Sequence, residues 1–204
     1  MPGDPGSRAS ETKMKTLLVV GLGNVLRGDD GAGAYACLAL ARRWARRSGW
    51  AVRRGDGAAE GPEVEGGRVR VRFLEGILDP FAVLEAVQAP EVRRCLVLDA
   101  VRAGLSPGET VRWELRELEK EGGSGVLASL HGVDLLQVLE LGRLAGLGRG
   151  PRLVVWGIQA DPGCLWGRRL SPSVGRGLRS LVLAAERELA EWVRAERAAG
   201  AADA

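Results

Sequence analysis

Histidine and cysteine are scarce in this chain of 204 residues. It contains one histidine, His131, and three cysteines, at positions 37, 95 and 164. An odd number of widely spaced cysteines fits no disulfide framework, and without Cys-x-x-Cys pairs there is no structural zinc site of the Cys₄ or Cys₂His₂ type. A single histidine also excludes a three-histidine catalytic zinc site. Any metal chemistry must therefore use His131, carboxylates or isolated thiols.

Long apolar runs and clustered positive charge are lacking as well. No apolar stretch approaches the roughly 18 residues that a membrane span needs, and the first fifteen residues lack the apolar region of a signal peptide. The net charge is only +3, and the arginines are scattered among glutamates. Nucleic-acid-binding proteins gather such charge on one face and interleave aromatic residues, which make up 4% here. We expect a cytoplasmic protein that binds neither nucleic acid nor a membrane.

The chain does contain short apolar runs that alternate with amphipathic, helix-type patterns. Residues 48–67 are rich in glycine and are expected to form a surface loop. The patterns predict strands at 15–21, 69–74, 95–101, 110–115 and 152–158, and helices at 32–47, 79–88, 133–144 and from 171 onward.

This order predicts an α/β fold, a three-layer α/β/α sandwich with a mostly parallel central sheet and helices on both faces. We expect a disordered leader over residues 1–14, a single domain over 15–197 and a frayed tail over 198–204.

Polar residues that carry chemistry follow several of the expected strands, and ligands of such folds bind at the carboxyl ends of the strands. Asp29 and Asp30 follow the first strand, Asp99 closes an apolar run, and His131 precedes a helix. One of the adjacent aspartates is expected to cap the helix that begins near Gly31, which leaves the other free to point into the crevice. Asp30, Asp99 and His131 together would suit a divalent ion that accepts mixed nitrogen and oxygen ligands, such as nickel or zinc.

Structural roles for the same residues stay open at this point. Asp99 could be a turn-forming aspartate bonded to nearby backbone amides, and His131 could be a structural histidine. Spacing alone does not establish that the three side chains converge.

Rival chemistries find less support. Leu26 stands where a dinucleotide-binding turn requires glycine, and no P-loop lysine follows the first strand. No Gly-x-Ser-x-Gly elbow is present for a serine nucleophile. Cys37 and Cys95 lie in patterns typical of inert core residues. No second Asp-Thr-Gly-like motif is present, which argues against an aspartic-protease dyad.

Four segments, taken in order, match one protein family. They are Val-Gly-Leu-Gly-Asn-Val-Leu-Arg-Gly-Asp-Asp-Gly-Ala-Gly at 20–33, residues 97–101 with 104–108, Ser-Leu-His-Gly at 129–132, and residues 156–159 with 170–172. With these segments the chain resembles the hydrogenase maturation endopeptidases, which trim the large subunit of nickel–iron hydrogenases. The resemblance covers most of residues 16–195.

The resemblance implies a role for each of the three residues. By position, Asp30, Asp99 and His131 match the family's nickel-sensing residues, and relatives have Glu or Asp in the place of Asp30. The implied enzyme binds the nickel-loaded precursor of the large subunit and removes a C-terminal peptide. The precursor carries the nickel, and a divalent ion such as zinc or cadmium could stand in its place. Asp30 is the candidate general base that activates water, and Asp99 and His131 complete the catalytic site.

One segment departs from the family pattern. Many relatives have Asp-Gly-Gly-Thr or similar after the second strand, whereas this chain has Glu-Gly-Ile-Leu at 75–78. Gly76 is retained, and because the segment is associated with substrate choice we expect Gly76 to act in substrate recognition. A non-catalytic metal-sensing or docking protein on the same fold is the alternative function, and a peptidase with another substrate is a further one.

Overall fold

A mixed β-sheet flanked by helices makes up the part of the chain that the computed structural model describes, residues 14–54, 60–77, 79–114, 128–129, 151–164 and 167–202. Its strands are β1 (Lys15–Leu22), β2 (Ala51–Arg54), β3 (Glu60–Gly66), β4 (Val69–Ile77), β5 (Val92–Arg102), β6 (Thr110–Glu114), β7 (Ala128–Ser129) and β8 (Arg152–Gln159). Its helices are α1 (Ala32–Ser48), α2 (Pro80–Val87) and α3 (Pro172–Ala202), and a 3₁₀ turn (Gly28–Gly31) precedes α1.

The strands lie in the order β2-β3-β4-β1-β5-β8-β6. The short strand β7 is not part of this order and pairs with β5. The four central strands, β4, β1, β5 and β8, are parallel to one another. The other pairings, at the two edges and at β7, are antiparallel. The prediction of an α/β fold with a mostly parallel central sheet is confirmed, and the antiparallel strands are additions to its parallel centre.

Helices cover both faces of the sheet because its central strands are apolar on both sides. Leu17 and Val19 of β1 face α1 and α3 in one buried cluster. Leu18 and Val20, the alternate residues, face α2 in a second cluster. Side chains of a strand point alternately to opposite faces, so one apolar run supplies both cores. The described elements therefore form the three layers that the sequence predicts.

The prediction of a loop over residues 48–67 is wrong. Most of this segment forms β2 and β3, an antiparallel pair that extends the sheet beyond β4. Val64 of β3 is fully buried, while Glu65 forms an ion pair with Arg70 of β4 at 2.8 Å. The strands are held by backbone pairing and by cross-strand charge pairs, and neither is visible in a segment dense in glycine and glutamate.

Element ends differ from the expected ones at two places. Strand β5 continues past Asp99 to Arg102, so Asp99 lies within the strand and does not end it. Helix α3 extends to Ala202, whereas fraying was expected from residue 198. Helix α2 begins where the sequence predicts, and Asp79 caps it, with its Oδ1 accepting a hydrogen bond from the Phe81 N–H at 2.9 Å.

Two expectations lie outside the described residues, namely the helix at 133–144 and nearly all of the leader. Within the described ranges, no helix combines the length and the apolar character needed to cross a bilayer.

Candidate active site at the edge between β1 and β5

The candidate site lies at the switch point of the sheet, where the connections that follow two adjacent strands lead in opposite directions. From β1 the chain passes through α1 towards β4, on one side of β1. From β4 it returns through α2, on the other face, to β5 on the opposite side of β1. The connections after β1 and β5 therefore diverge and leave a crevice between the carboxyl ends of the two strands, the common place for ligands in such folds.

Asp30 and Asp99 lie on the two sides of this crevice. Asp30 belongs to the 3₁₀ turn after β1, which packs against β5, and it is 2% exposed. Its Oδ2 accepts a hydrogen bond from the Asn24 N–H at 3.1 Å. Asp99 of β5 is 4% exposed, and its Oδ1 accepts a hydrogen bond from the Ala100 N–H at 2.7 Å. The structure thus places two buried carboxylates at one edge of the sheet, as the sequence predicts.

A glycine allows the start of α1 to pack closely against β1 and β5. A Cβ atom on Gly33 would collide with the carbonyl oxygens of Leu22 in β1 and Leu98 in β5. The first turn of α1 therefore packs directly on the backbone of both strands, next to Asp99. Because Asp30 precedes this contact by only three residues, the turn that carries it is held over the crevice.

The neighbouring Asp29 does not cap α1, and neither does Asp30. The N-cap residue is Gly31, and no side chain bonds to the first amides of the helix, so the capping prediction is wrong. Asp29 is instead fully buried. Its Oδ1 accepts a hydrogen bond from the Ser171 N–H at 2.6 Å, and its Oδ2 accepts one from the Asp161 N–H at 3.0 Å. The two aspartates therefore have different tasks, since Asp30 lies at the crevice and Asp29 binds the backbone beyond β8.

Backbone bonds reinforce this link between the 3₁₀ turn and the chain after β8. The Asp29 N–H donates to the Cys164 carbonyl at 3.0 Å, and the Gly28 N–H donates to the Gly167 carbonyl. The Tyr35 hydroxyl donates to the Arg168 carbonyl at 3.2 Å. Sequence reasoning missed this anchor because it joins residues more than 130 positions apart. The only sign of it in the sequence is an acidic pair of which one member has no local partner.

His131, the third predicted ligand, lies outside the described residues. The described chain comes close to it in sequence at β7, where Ser129 pairs with Val101, two residues beyond Asp99. Among the described residues, no group of three histidine, cysteine, aspartate or glutamate side chains could hold a metal ion. The described part of the site therefore consists of the two carboxylates.

Gly76 lies at an irregularity near the end of β4. Leu74 pairs with Val20 of β1, but Ile77 pairs with Leu22, so β4 contains one more residue than β1 at this point. Gly76 is exposed and has a φ of +66°, a conformation that favours glycine. This backbone requirement explains the glycine, and its expected role in substrate recognition stays a prediction.

The rival cysteine nucleophiles are buried in the core. Cys37 and Cys95 are fully buried, and burial raises the pKa of both thiols well above the usual value. Since the thiolate is the nucleophilic form, neither side chain is suited to attack a peptide bond.

Fold and site together define an α/β protein with two buried carboxylates at the switch point of its sheet. No protein-family model matches the chain. The HupD hydrogenase expression/formation protein of Bradyrhizobium diazoefficiens is 30% identical over 177 residues, which cover 86% of this chain and 79% of that protein. HupD of Thiocapsa roseopersicina is 30% identical over 130 residues, 64% of this chain and 48% of that protein, so the chain spans about half of this relative.

A solved structure gives the same result. The [NiFe] hydrogenase maturation protease HybD from Thermococcus kodakarensis has 26% sequence identity and a TM-score of 0.59, and the match covers 85% of this chain and 98% of that one. The chain belongs to the hydrogenase maturation endopeptidase family.

Proposed function

We propose that this chain is an endopeptidase that processes the large-subunit precursor of a nickel–iron hydrogenase and removes a C-terminal peptide after nickel has been loaded. The observation that carries the proposal is the pair of buried carboxylates, Asp30 and Asp99, at the switch point of a chain of this family. Membership of the family of relatives named HupD and of the HybD protease supports the reaction class.

In this proposal nickel is part of the substrate, because it arrives in the precursor. Asp30 and Asp99 offer buried carboxylate oxygens, which are common ligands of divalent cations, so the donor set fits such an ion. Carboxylate oxygens alone favour harder ions, and an imidazole shifts the preference towards nickel or zinc. We propose His131 as that third donor. The support is that β7 runs antiparallel to β5 and pairs with it two residues from Asp99, two positions before His131 in the sequence.

Peptide hydrolysis needs a group that takes the proton of the attacking water and returns it to the leaving amine. Asp30 is the proposed general base, since it follows β1 at the carboxyl edge of the sheet and the Asn24 N–H fixes one of its oxygens. Asp99 is proposed to hold the metal-bearing segment of the precursor in place. Nickel in the precursor would supply the positive charge that these carboxylates bind. Cleavage would then depend on loading, because an empty precursor brings no cation for the carboxylates to bind.

Two substitutions with a matched control test this assignment. Asp30→Asn and Asp99→Asn keep the size of each side chain and remove its charge, and Glu191→Gln does the same at an exposed position of α3. We expect each site variant to cleave nickel-loaded precursor at least about 100-fold more slowly, the usual contribution of an acid–base group, while the control matches the wild type. Intact-mass spectrometry follows the loss of the peptide, and urea unfolding shows that each variant is folded. Wild-type rates in both site variants would contradict the proposal.

The cytoplasmic location and the role of Gly76 belong to the same proposal. All three cysteines are free thiols, which is typical of a reducing compartment. A Cβ atom added at Gly76 would meet nothing within 4 Å, so the backbone there is open to a substrate chain.

A further inference from the structure

Most of the exposed large apolar side chains in the described residues lie on connections at one edge of the sheet. The described residues include five large hydrophobic side chains that are exposed, and four of them lie on segments that leave the carboxyl edge of the parallel strands. These four, called the apolar rim here, are Val25 (37% exposed) and Leu26 (53%) after β1, Phe81 (53%) at the start of α2 after β4, and Leu105 (38%) after β5. The fifth, Val52, lies on the edge strand β2.

The tip of the rim is a hydrogen-bonded turn. The Leu26 N–H donates to Asn24 Oδ1 at 2.9 Å, and the Arg27 N–H donates to the Asn24 carbonyl at 2.9 Å. The Tyr35 hydroxyl is 3.5 Å from the carbonyl of Val25. Since the turn is already ordered, little conformational entropy is lost when a partner covers its side chains.

The same turn is continuous with the catalytic carboxylate. Asn24 holds the Leu26 backbone through its side chain and Asp30 Oδ2 through its own N–H. A chain whose scissile bond lies at Asp30 is therefore expected to pass near the turn that carries Leu26. Leu105 is fixed in a comparable way, because its N–H donates to Gln159 Oε1 at 3.3 Å.

We infer that the apolar rim is the docking surface for the precursor, and that it binds apolar side chains next to the scissile bond. This inference rests on the proposed function and names the recognition chemistry of the same site. Ordered apolar side chains at the centre of an interface bind by excluding water from a matching apolar surface. Such contacts are made equally in the ground state and in the transition state, so their loss raises KM and leaves kcat unchanged.

Serine substitutions at two rim positions and at one remote position test the inference. Leu26→Ser and Phe81→Ser lie on different elements, and Val52→Ser is the control because all three side chains are 53% exposed. The probe is nickel-loaded large-subunit precursor from the same organism, and kcat and KM are measured for each variant by intact mass. We expect a rise in KM of about tenfold or more in each rim variant at unchanged kcat, and wild-type values for the control.

Several outcomes separate this inference from the proposed function. If the wild type does not cleave the precursor, the proposed function fails. If the wild type cleaves and both rim variants keep its KM, or if Val52→Ser loses as much as they do, the docking surface is refuted. Leu26→Met should restore most of the affinity, and failure of this rescue would point to a structural effect. Light scattering tests whether a second copy covers the rim, and a wild-type dimer that Leu26→Ser dissociates at unchanged KM would also overturn the inference.

Discussion

Replacing Asp29 by alanine should destabilise the protein strongly, although Asp29 lies outside the proposed catalytic set. The variant leaves the N–H groups of Ser171 and Asp161 without their acceptor, and the first of these bonds is fully buried. An unsatisfied buried donor costs about 1–3 kcal/mol, so the two together amount to about 2–6 kcal/mol. Domains have a free energy of unfolding of about 5–15 kcal/mol, and this loss is a large share of it.

The matched comparison is Asp79→Ala, which also removes an aspartate carboxylate that accepts a hydrogen bond from a backbone N–H. The bond from Phe81 to Asp79 is exposed and has a length of 2.9 Å, so water replaces it and the cost is that of a lost N-cap, about 1 kcal/mol. Urea unfolding at pH 7 measures both variants. For a chain of this size each kcal/mol also lowers Tm by about 2–4 °C, which gives about 4–24 °C for Asp29→Ala.

Asp29→Asn gives a finer test of the same bonds. One amide oxygen still accepts, but the amide NH₂ group then faces a second N–H donor. We expect a cost no greater than that of Asp29→Ala. If Asp29→Ala is no more destabilising than Asp79→Ala, the two long-range bonds do not anchor the turn and the reasoning is refuted.

Two further predictions concern thiol reactivity and pH. In the native protein Ellman's reagent should titrate one thiol, the half-buried Cys164, because burial raises the pKa of Cys37 and Cys95. All three thiols should react in urea. Two or three fast-reacting thiols in the native state would contradict the packing described. Burial also raises the pKa of the Glu75 carboxyl, and nearby Arg42 only partly offsets this effect. Ionisation of Glu75 therefore opposes folding once the pH exceeds the unfolded-state pKa of about 4.3. Glu75→Gln should therefore have a higher urea midpoint than the wild type at pH 7 and an equal one below about pH 4, and a lower midpoint at pH 7 would show that the charge of Glu75 stabilises the fold.

The parallel centre of the sheet could be predicted because its signals are local. Runs such as Leu17–Val20 are apolar at every position, and a short run of this kind ended by glycine is typical of a strand buried on both faces. Val64 shows the limit of this reasoning. It is a single buried residue between two glutamates, and the pairing that makes its segment a strand comes from β2 and β4.

The candidate site could be predicted in part for the same reason. Asp30 and Asp99 each follow an apolar run, and parallel strands bring such positions to one edge. The task of Asp29 could not be predicted, because its partners Asp161 and Ser171 lie 132 and 142 positions away in the chain. The local sequence predicts a helix-capping role for one of the two adjacent aspartates, whereas the Asp29 carboxylate accepts two long-range hydrogen bonds instead.

The most direct test of the proposed function compares two forms of one substrate. Purified protein is incubated with the nickel-loaded and the nickel-free form of the large-subunit precursor, and intact-mass spectrometry measures the products of each. We expect a C-terminal peptide to be lost from the nickel-loaded form alone. Cleavage of both forms at equal rates would show that the carboxylates do not sense the metal, and an intact precursor in both would contradict the endopeptidase assignment.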